Sequence, residues 1–305
     1  MIIFGKTKKT VIFMGYKCNN KCIFCCNDDK RSKNLEKTTS EVKDDVKSAK
    51  KSGTTYIEFI GGEPTIRTDF IEILRFAKYV GFETIMFASN GRALSNLDFA
   101  KKILDSGVNH IVFSIHGHKK EIHDALTKVP GSFEQTIKGL ENVKSLGLTD
   151  IGSNTTIVKQ NYIHLEDIGS FIYDLGIRNS EFIFVDPTNG APKYRFEELV
   201  PTYGEVSPYV NGLLEFGKLN EIEHWHIRYY PLCFIDEKYH DMVSELHEQK
   251  FFETKHLAPD FVNRDYLFSR KNDSKIKLEK CKKCVYCSVC EGYWKEYVRR
   301  RPGNI

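Results

Sequence analysis

The sequence predicts an α/β fold of parallel βαβ units, and two observations carry that prediction. Six short apolar runs alternate with segments of helical periodicity. The cysteine-, glycine- and histidine-bearing motifs fall just after those runs, at the C-terminal strand ends where barrel enzymes place their chemistry. Right-handed crossovers wind such units into either an open sheet or a barrel.

The first run, Val11-Ile12-Phe13-Met14, leads into Cys18-Asn19-Asn20-Lys21-Cys22-Ile23-Phe24-Cys25, three cysteines at C-x3-C-x2-C spacing. Thr38-x-x-Glu41 is a capping box for a helix whose Val42, Val46 and Ala49 share one face and which Gly53 ends. The second strand, Tyr56 to Ile60, delivers Gly61-Gly62-Glu63-Pro64 at its C-terminal end. Asp69 opens a helix carrying Phe70, Ile73, Leu74 and Ala77, closed by Gly81. Thr84 to Ala88 is the third strand and ends in Ser89-Asn90-Gly91, and a helix from Asn96 stops near Gly107. His110 to His116 is the fourth strand, and Ser132-x-x-Gln135 caps the helix that ends at Gly147. Ile151 to Val158 is the fifth, followed by a helix over Leu165 to Leu175, and Glu181 to Val185 is the sixth, ending at Asp186-Pro187.

With 305 residues, 41% of them hydrophobic, the chain has room for one large α/β domain, residues 1–200, and a smaller unit, residues 201–305. Lys plus Arg is 45 and Asp plus Glu 41, a net +4 that neither demands nor excludes a nucleic-acid partner. No stretch approaches the ~20 apolar residues of a membrane span. Met1 to Thr10 lacks a signal-peptide core, so the expectation is a cytoplasmic protein with no membrane partner. Nine cysteines fall in two clusters, residues 18 to 26 and 281 to 290, with Cys233 alone between them. In a reducing compartment such clusters are metal ligands rather than disulfides.

Three thiolates on one loop can hold three irons of a [4Fe–4S] cube and leave the fourth without a protein ligand, whereas such cubes ordinarily take four cysteines. From spacing alone a zinc site or a structural Fe–S loop is the alternative. The cysteine loop, with Phe24 before its third cysteine and Gly61-Gly62-Glu63-Pro64 after the next strand, resembles the radical S-adenosylmethionine (SAM) superfamily. The resemblance implies a partial (β/α)6 TIM-like barrel in which Cys18, Cys22 and Cys25 bind the cluster and SAM chelates the open iron. An electron from the cluster then cleaves SAM to a 5′-deoxyadenosyl radical.

The same resemblance places Phe24 near the adenine, and Gly61 and Gly62 beside the amino group of SAM with Glu63 as an acceptor. It makes Ser89, Ser114 and Asn154 polar cofactor-side residues. His116 shares the strand face of Ser114 by period two. It is a candidate for substrate or cofactor, or else a polar lining of a wet cavity. Many relatives carry an arginine before the Pro-Gly-Ser-Phe stretch, facing the SAM carboxylate. Here Thr127 occupies that place, and Lys128 beside it offers one charge but no bidentate fork. Cys26 reads as structural, and His118 and His123 as solvated or structural.

Cys281-x2-Cys284-x2-Cys287-x2-Cys290 lies in a lysine-rich segment. Without Cys287 its spacing, C-x2-C-x5-C, resembles the auxiliary-cluster segment of SPASM and twitch domains. The resemblance implies an upstream fourth ligand, Cys233, so that Cys233, Cys281, Cys284 and Cys290 close an auxiliary [4Fe–4S] cluster. Cys287 in place of Cys233 or Cys290 remains an alternative, as does zinc on four cysteines. Too few cysteines are left for a second auxiliary cluster, which points to the shorter, twitch-like form: a small C-terminal cysteine-rich domain.

The implied function is radical modification of a peptide or protein, in the manner of a maturase, with electrons from a reductant such as flavodoxin or ferredoxin. No segment has the composition of an N-terminal leader-binding domain, which many peptide maturases carry. The alternatives are a small cofactor precursor or RNA base as substrate, or a non-catalytic Fe–S electron-transfer protein. Gly61-Gly62-Glu63 speaks against the last, because an electron carrier needs no site for the methionine end of SAM.

Overall fold

A strand whose alternate side chains are apolar needs a cover on that face, and a βαβ crossover supplies one with its helix. In the computed structural model, which describes residues 6–303, six strands are covered in this way. They are β1 (Thr7–Phe13), β2 (Tyr56–Ile60), β3 (Thr84–Ser89), β4 (His110–Ser114), β5 (Ile151–Ile157) and β6 (Asn179–Phe184). All five pairings between consecutive strands are parallel. The covering helices are α1 (Thr39–Lys51), α2 (Phe70–Val80), α3 (Leu97–Asp105), α4 (Lys120–Thr127), α5 (Ser132–Ser145) and α6 (Leu165–Asp174).

Later chain extends the same sheet. Two short helices, α7 (Gly190–Tyr194) and α8 (Phe196–Leu199), and the long α9 (Tyr203–Leu219) lead to β7 (His224–Arg228), parallel to β6. The helix α10 (Ser244–Phe251) runs directly into β8 (Phe252–Leu257), which lies parallel to β1, and β9 (Val262–Asn263) turns back antiparallel to β8. The order is β7-β6-β5-β4-β3-β2-β1-β8-β9, a mostly parallel sheet curled as a partial TIM-like barrel. Six strands were legible as apolar runs. β7 and β8 were not, because His224-Trp225-His226-Ile227-Arg228 and Phe252-Glu253-Thr254-Lys255-His256-Leu257 interleave polar residues throughout.

The helix starts follow their local chemistry with one exception. Thr38 and Glu41 form the expected capping box, and the Asn96 side chain accepts from the Phe99 amide at 2.9 Å. Ser132, expected as a cap, lies inside α5 behind Gly131, whose φ of 79° suits a glycine. Its hydroxyl donates instead to Asp124, whose carboxylate also accepts from the Gly131 and Phe133 amides. Asp124 therefore organises that helix start from outside it.

The two faces of the sheet differ sharply. Ile12, Ile57, Phe59, Phe87, Ile111 and Phe113 are fully buried toward the helices, in one core with Val42, Val46, Ile73 and Leu74. The alternate positions face the barrel axis and mix apolar residues such as Val11, Met86 and Val112 with polar and charged ones. Lys9 of β1 pairs with Glu58 of β2 at 2.5 Å, and the Tyr56 hydroxyl meets His110 Nδ1 at 3.2 Å. Arg228 of β7 grips Glu181 of β6 with two hydrogen bonds, 2.9 and 2.6 Å.

That last pair begins a chain of ion pairs across the gap between the sheet's edges. Arg228 also donates to Glu248 of α10 at 2.7 Å. Glu248 accepts from Arg270 at 2.7 Å, and Arg270 closes on Glu291 with a bidentate pair at 2.9 and 2.8 Å. Arg270 is only 2% exposed, and Glu291 follows the last cysteine of the tail. Among the described residues no helix is long and apolar enough to cross a membrane.

Burial works against the Glu248 carboxylate, but Arg228 and Arg270 together outweigh it and hold the carboxyl down to about 2. Its stabilising contribution is complete above the ordinary value of 4.5 and is lost as pH falls from there through about 2. Arg270→Met leaves buried carboxylates facing one another and should cost about 3–5 kcal/mol at neutral pH. Anaerobic urea unfolding should show this loss, and the gap to wild type should narrow below pH 4.5. A variant as stable as wild type at neutral pH would mean that the tail does not depend on these pairs.

Candidate active site

The loop after β1 takes its shape from backbone bonds to neighbouring strand ends and from side chains that grip it from outside. Gly62 N donates to Gly15 O at 2.9 Å and Glu63 N to Lys17 O at 2.8 Å, stitching the end of β2 to the approach to the cysteines. Both bonds require glycine. Gly61 has a φ of +133°, and a Cβ at Gly62 would lie 1.8 Å from Lys17 O. Farther along, Lys21 N and Ile23 N donate to the Thr127 and Leu126 carbonyls at the end of α4, each at 2.9 Å. Ala191 N donates to Cys25 O at 3.0 Å.

Glu63 is 3% exposed and sits at the junction of β2 and β3. Its Oε1 accepts from Thr65 N at 3.1 Å, Thr65 Oγ1 at 2.6 Å and Ser89 Oγ at 2.8 Å. Its Oε2 accepts from Asn90 N at 2.7 Å. Burial raises its pKa, with these donors pulling the other way. Ser89 thus meets Glu63, and its oxygen also accepts from Gly91 N at 2.9 Å. A cavity of about 530 Å³ opens beside this run, lined by Gly15, Glu36, Gly62, Glu63 and Arg67. A larger one of about 760 Å³ lies at the other end of β1, around Lys8, Lys9, Ser52 and Thr54, and reaches Glu291 beside the last tail cysteine.

Phe24 is buried and meets His116 edge to face, with ring centroids 4.7 Å apart. His116 Nδ1 accepts from Thr156 N at 3.2 Å, and burial, with His123 adding, lowers its pKa to about 3. It is a neutral imidazole with its proton on Nε2. His123 is buried and takes the His116 amide on Nδ1, a structural role. Ser114 and Asn154 are register partners on β4 and β5, both half-buried on the axial face. Lys128 is exposed in a left-handed turn at the end of α4, φ 57°.

Three residues that the sequence did not single out hold the cysteine loop. Arg92 donates to Asn19 O at 2.6 Å and Asn20 Oδ1 at 2.9 Å, and Arg31 donates to Asn20 O at 2.7 Å. Asn90 donates to Asn19 Oδ1 at 2.7 Å. The polar Ser89-Asn90-Gly91-Arg92 ending of β3 was the available signal for two of them.

The thiols suit a polynuclear centre. Burial, with Cys25 and Cys18 adding, pushes Cys22 up to about 12, and burial also raises Cys18. Such thiols ionise together only against a strong local cation. Thiolates on a single zinc ion stand about 3.8 Å apart, given Zn–S bonds of about 2.3 Å. Among the described residues neither cysteine cluster gathers three sulfurs within 4.8 Å, so neither is closed around a single zinc-sized ion.

In the tail, the Cys233 thiol and the Tyr293 hydroxyl are 3.1 Å apart. Burial raises the pKa of Tyr293, as do the hydrogen bond to Cys233 and the charges of Cys233, Cys281 and Cys290. Cys284 follows Cys281 in a turn, its amide donating to Cys281 O at 3.1 Å, and Cys287 repeats that turn at 3.0 Å.

Fold and loop together define a barrel enzyme with a metal cluster at its C-terminal strand ends. The chain belongs to the radical SAM superfamily, whose family model matches residues 12–172. It is 30% identical over 183 residues to an AdoMet-dependent heme synthase of Oleidesulfovibrio alaskensis, across 60% of this chain and 46% of that protein. A probable GTP 3′,8-cyclase of Methanocaldococcus jannaschii is 30% identical over 70% of this chain and 68% of its own length. The mycofactocin maturase MftC of Mycolicibacterium smegmatis is 29% identical over 51% and 39%. The chain thus spans less than half the length of the heme synthase and the maturase.

Among solved structures, SuiB of Streptococcus suis bound to the precursor peptide SuiA superposes with a TM-score of 0.68 at 15% identity, over 98% of this chain and 74% of that one. The enzyme anSMEcpe with bound AdoMet and the Cp18Cys peptide gives 0.68 at 17% identity, over 95% and 89%. This chain is accordingly an enzyme of a superfamily that uses a [4Fe–4S] cluster and SAM. Its cysteine-rich C-terminal region is consistent with the auxiliary cluster of SPASM/twitch-type members, SuiB and anSMEcpe among them.

Glu63→Ala removes the acceptor shared by Ser89 and Asn90 while sparing all nine cysteines. SAM affinity by equilibrium titration should fall about ten- to a hundredfold, the equivalent of ~1.5–3 kcal/mol, with bound iron unchanged. Unchanged affinity would reduce the run to a structural turn.

For the tail, a chain with Cys18, Cys22 and Cys25 all replaced by alanine should retain about four irons. Adding Cys233→Ala should release them, whereas adding Cys287→Ala should have a mild effect. The reverse pattern would move the site to the four local cysteines, and zinc in place of iron after anaerobic purification would overturn the auxiliary cluster.

Proposed function

We propose that this enzyme cleaves SAM reductively to a 5′-deoxyadenosyl radical and uses it to modify a side chain of a peptide or protein. In this reading Cys18, Cys22 and Cys25 hold the cluster whose open iron takes SAM. Phe24, Gly61, Gly62, Glu63, Ser114 and Asn154 form the SAM side of the site, Glu63 by fixing Ser89 and Asn90 at the end of β3. Residues 1–200 supply the six strands that carry the radical site. Residues 201–305, which add β7, β8 and β9 to the same sheet, supply the auxiliary cluster on Cys233, Cys281, Cys284 and Cys290. A cytoplasmic flavodoxin or ferredoxin would deliver the electron.

The observation that carries the peptide reading is the likeness to SuiB over 98% of this chain, cysteine-rich tail included. MftC, a maturase among the sequence relatives, supports it. Its rival is a small cofactor precursor or nucleotide. That reading draws on the GTP cyclase relative, which matches 70% of this chain.

The cluster supplies the electron and the coordination site. The chain itself must hold SAM and exclude water. The neutral His116 imidazole offers an Nε2 proton beside Phe24 but no positive charge near neutral pH, so it can orient a substrate carbonyl without ionic attraction.

Anaerobically reconstituted protein with dithionite should release 5′-deoxyadenosine from SAM, and the variant lacking Cys18, Cys22 and Cys25 should not. Release by that variant would remove the central claim. Mass spectrometry of peptides and metabolites incubated with the active enzyme then separates the two substrate readings. A SAM-dependent mass change on a peptide supports the first, and a change only on a nucleotide or cofactor precursor supports the second.

A further inference from the structure

We propose that His118, His164 and Asp167 form a binding site for a divalent cation of the zinc class at the rim of the barrel, distinct from both cysteine clusters. His118 lies just past the end of β4, and His164 and Asp167 lie at the start of α6, past the end of β5. Two loops far apart in sequence therefore bring three ligand side chains to one place on the C-terminal face.

Asp167 Oδ2 stands 3.9 Å from His118 Nε2 and 3.6 Å from His164 Nδ1, and the two rings are 5.4 Å apart between centroids. One ligand atom from each of the three residues falls within 4.8 Å of the others. Among the described residues no other trio of histidine, cysteine or carboxylate side chains is gathered so closely. Ligands on a tetrahedral zinc ion, bonded at about 2.0–2.2 Å, stand roughly 3.3–3.6 Å apart. The observed separations of 3.6 and 3.9 Å lie at or just beyond that range.

His118 Nδ1 is buried without a hydrogen-bond partner. The close contacts of Asp167 with basic side chains are to these two imidazoles alone among the described residues.

Two nitrogens and one carboxylate select zinc-like cations over the hard, oxygen-seeking ones. Three protein ligands leave a fourth position for water. A bound ion would tie the approach to α4 to the start of α6. α4 is the helix whose last carbonyls hold Lys21 and Ile23 of the cysteine loop.

The test uses protein already loaded with its iron clusters, dialysed anaerobically to equilibrium against zinc, with zinc and iron counted in the same sample. Wild type should take up one zinc per chain while its iron stays constant. A His118→Gln/His164→Gln double variant should bind zinc at least about tenfold more weakly with iron and circular dichroism unchanged, and His164→Gln alone should show some of that loss. His164 is partly exposed, so its single replacement keeps the test valid if the double variant folds poorly. Equal zinc uptake by wild type and by the His164→Gln variant would overturn the site, as would no uptake by iron-loaded wild type.

Discussion

The chain of ion pairs from Glu181 through Arg228, Glu248 and Arg270 to Glu291 is the constraint on which the rest of the architecture depends. A partial barrel leaves a gap between the edges of its sheet, and the axial face beside it carries the charges of Glu181 and Arg228. Apolar packing could not seal it. Alternating charges can, because each guanidinium meets two carboxylates and each inner carboxylate meets two guanidiniums. The cost of burying these ions is substantial, and such networks need not add net stability over an apolar plug. What they supply is position, since a bidentate pair admits few geometries. Glu291 follows Cys290 directly, so the same pairs that close the barrel also fix where the tail cysteines lie.

The cysteine loop after β1 obeys a different logic. Its shape is set by backbone groups and by glycines that admit close approach, with Gly61 and Gly62 letting two strand ends touch and Gly15 leaving room for the Glu36 carboxylate. Arg92, Arg31 and Asn90 then clasp the loop from outside through its carbonyls and amides. A loop held this way keeps its thiols free for metal, because few side-chain interactions compete for them. Glu63 acts similarly in the layer beneath, joining the ends of β2 and β3 through four accepted hydrogen bonds.

Much of this was legible in the sequence, for identifiable reasons. The βα alternation, the Thr38 and Asn96 caps and both cysteine clusters announce themselves by spacing and by short-range chemistry. β7 and β8 were hidden because an axial face that carries charge erases the apolar signal of a strand. Ser132 misled because its local pattern fits a cap, while Asp124, eight residues earlier, takes its hydroxyl. Glu63 was read as a partner for SAM, and its four protein donors were invisible because two come from another strand end. His118, His164 and Asp167 lie too far apart along the chain for any motif to link them.

The parallel pairing of β1 with β8 has a further consequence for how the molecule is made. Thr7 pairs with Phe252, so one edge of the first strand stays without its neighbour until the ribosome has added 245 more residues. At about 5–20 residues per second that interval is roughly 12 to 50 s. Throughout it β1 presents unpaired amides and carbonyls, the kind of edge that recruits wrong partners. The cysteine loop at its far end is meanwhile already synthesised and open to solvent. The growing chain thus passes through a stage in which iron delivery is easiest and mispairing most dangerous, and the arrival of α10 and β8 ends both conditions together.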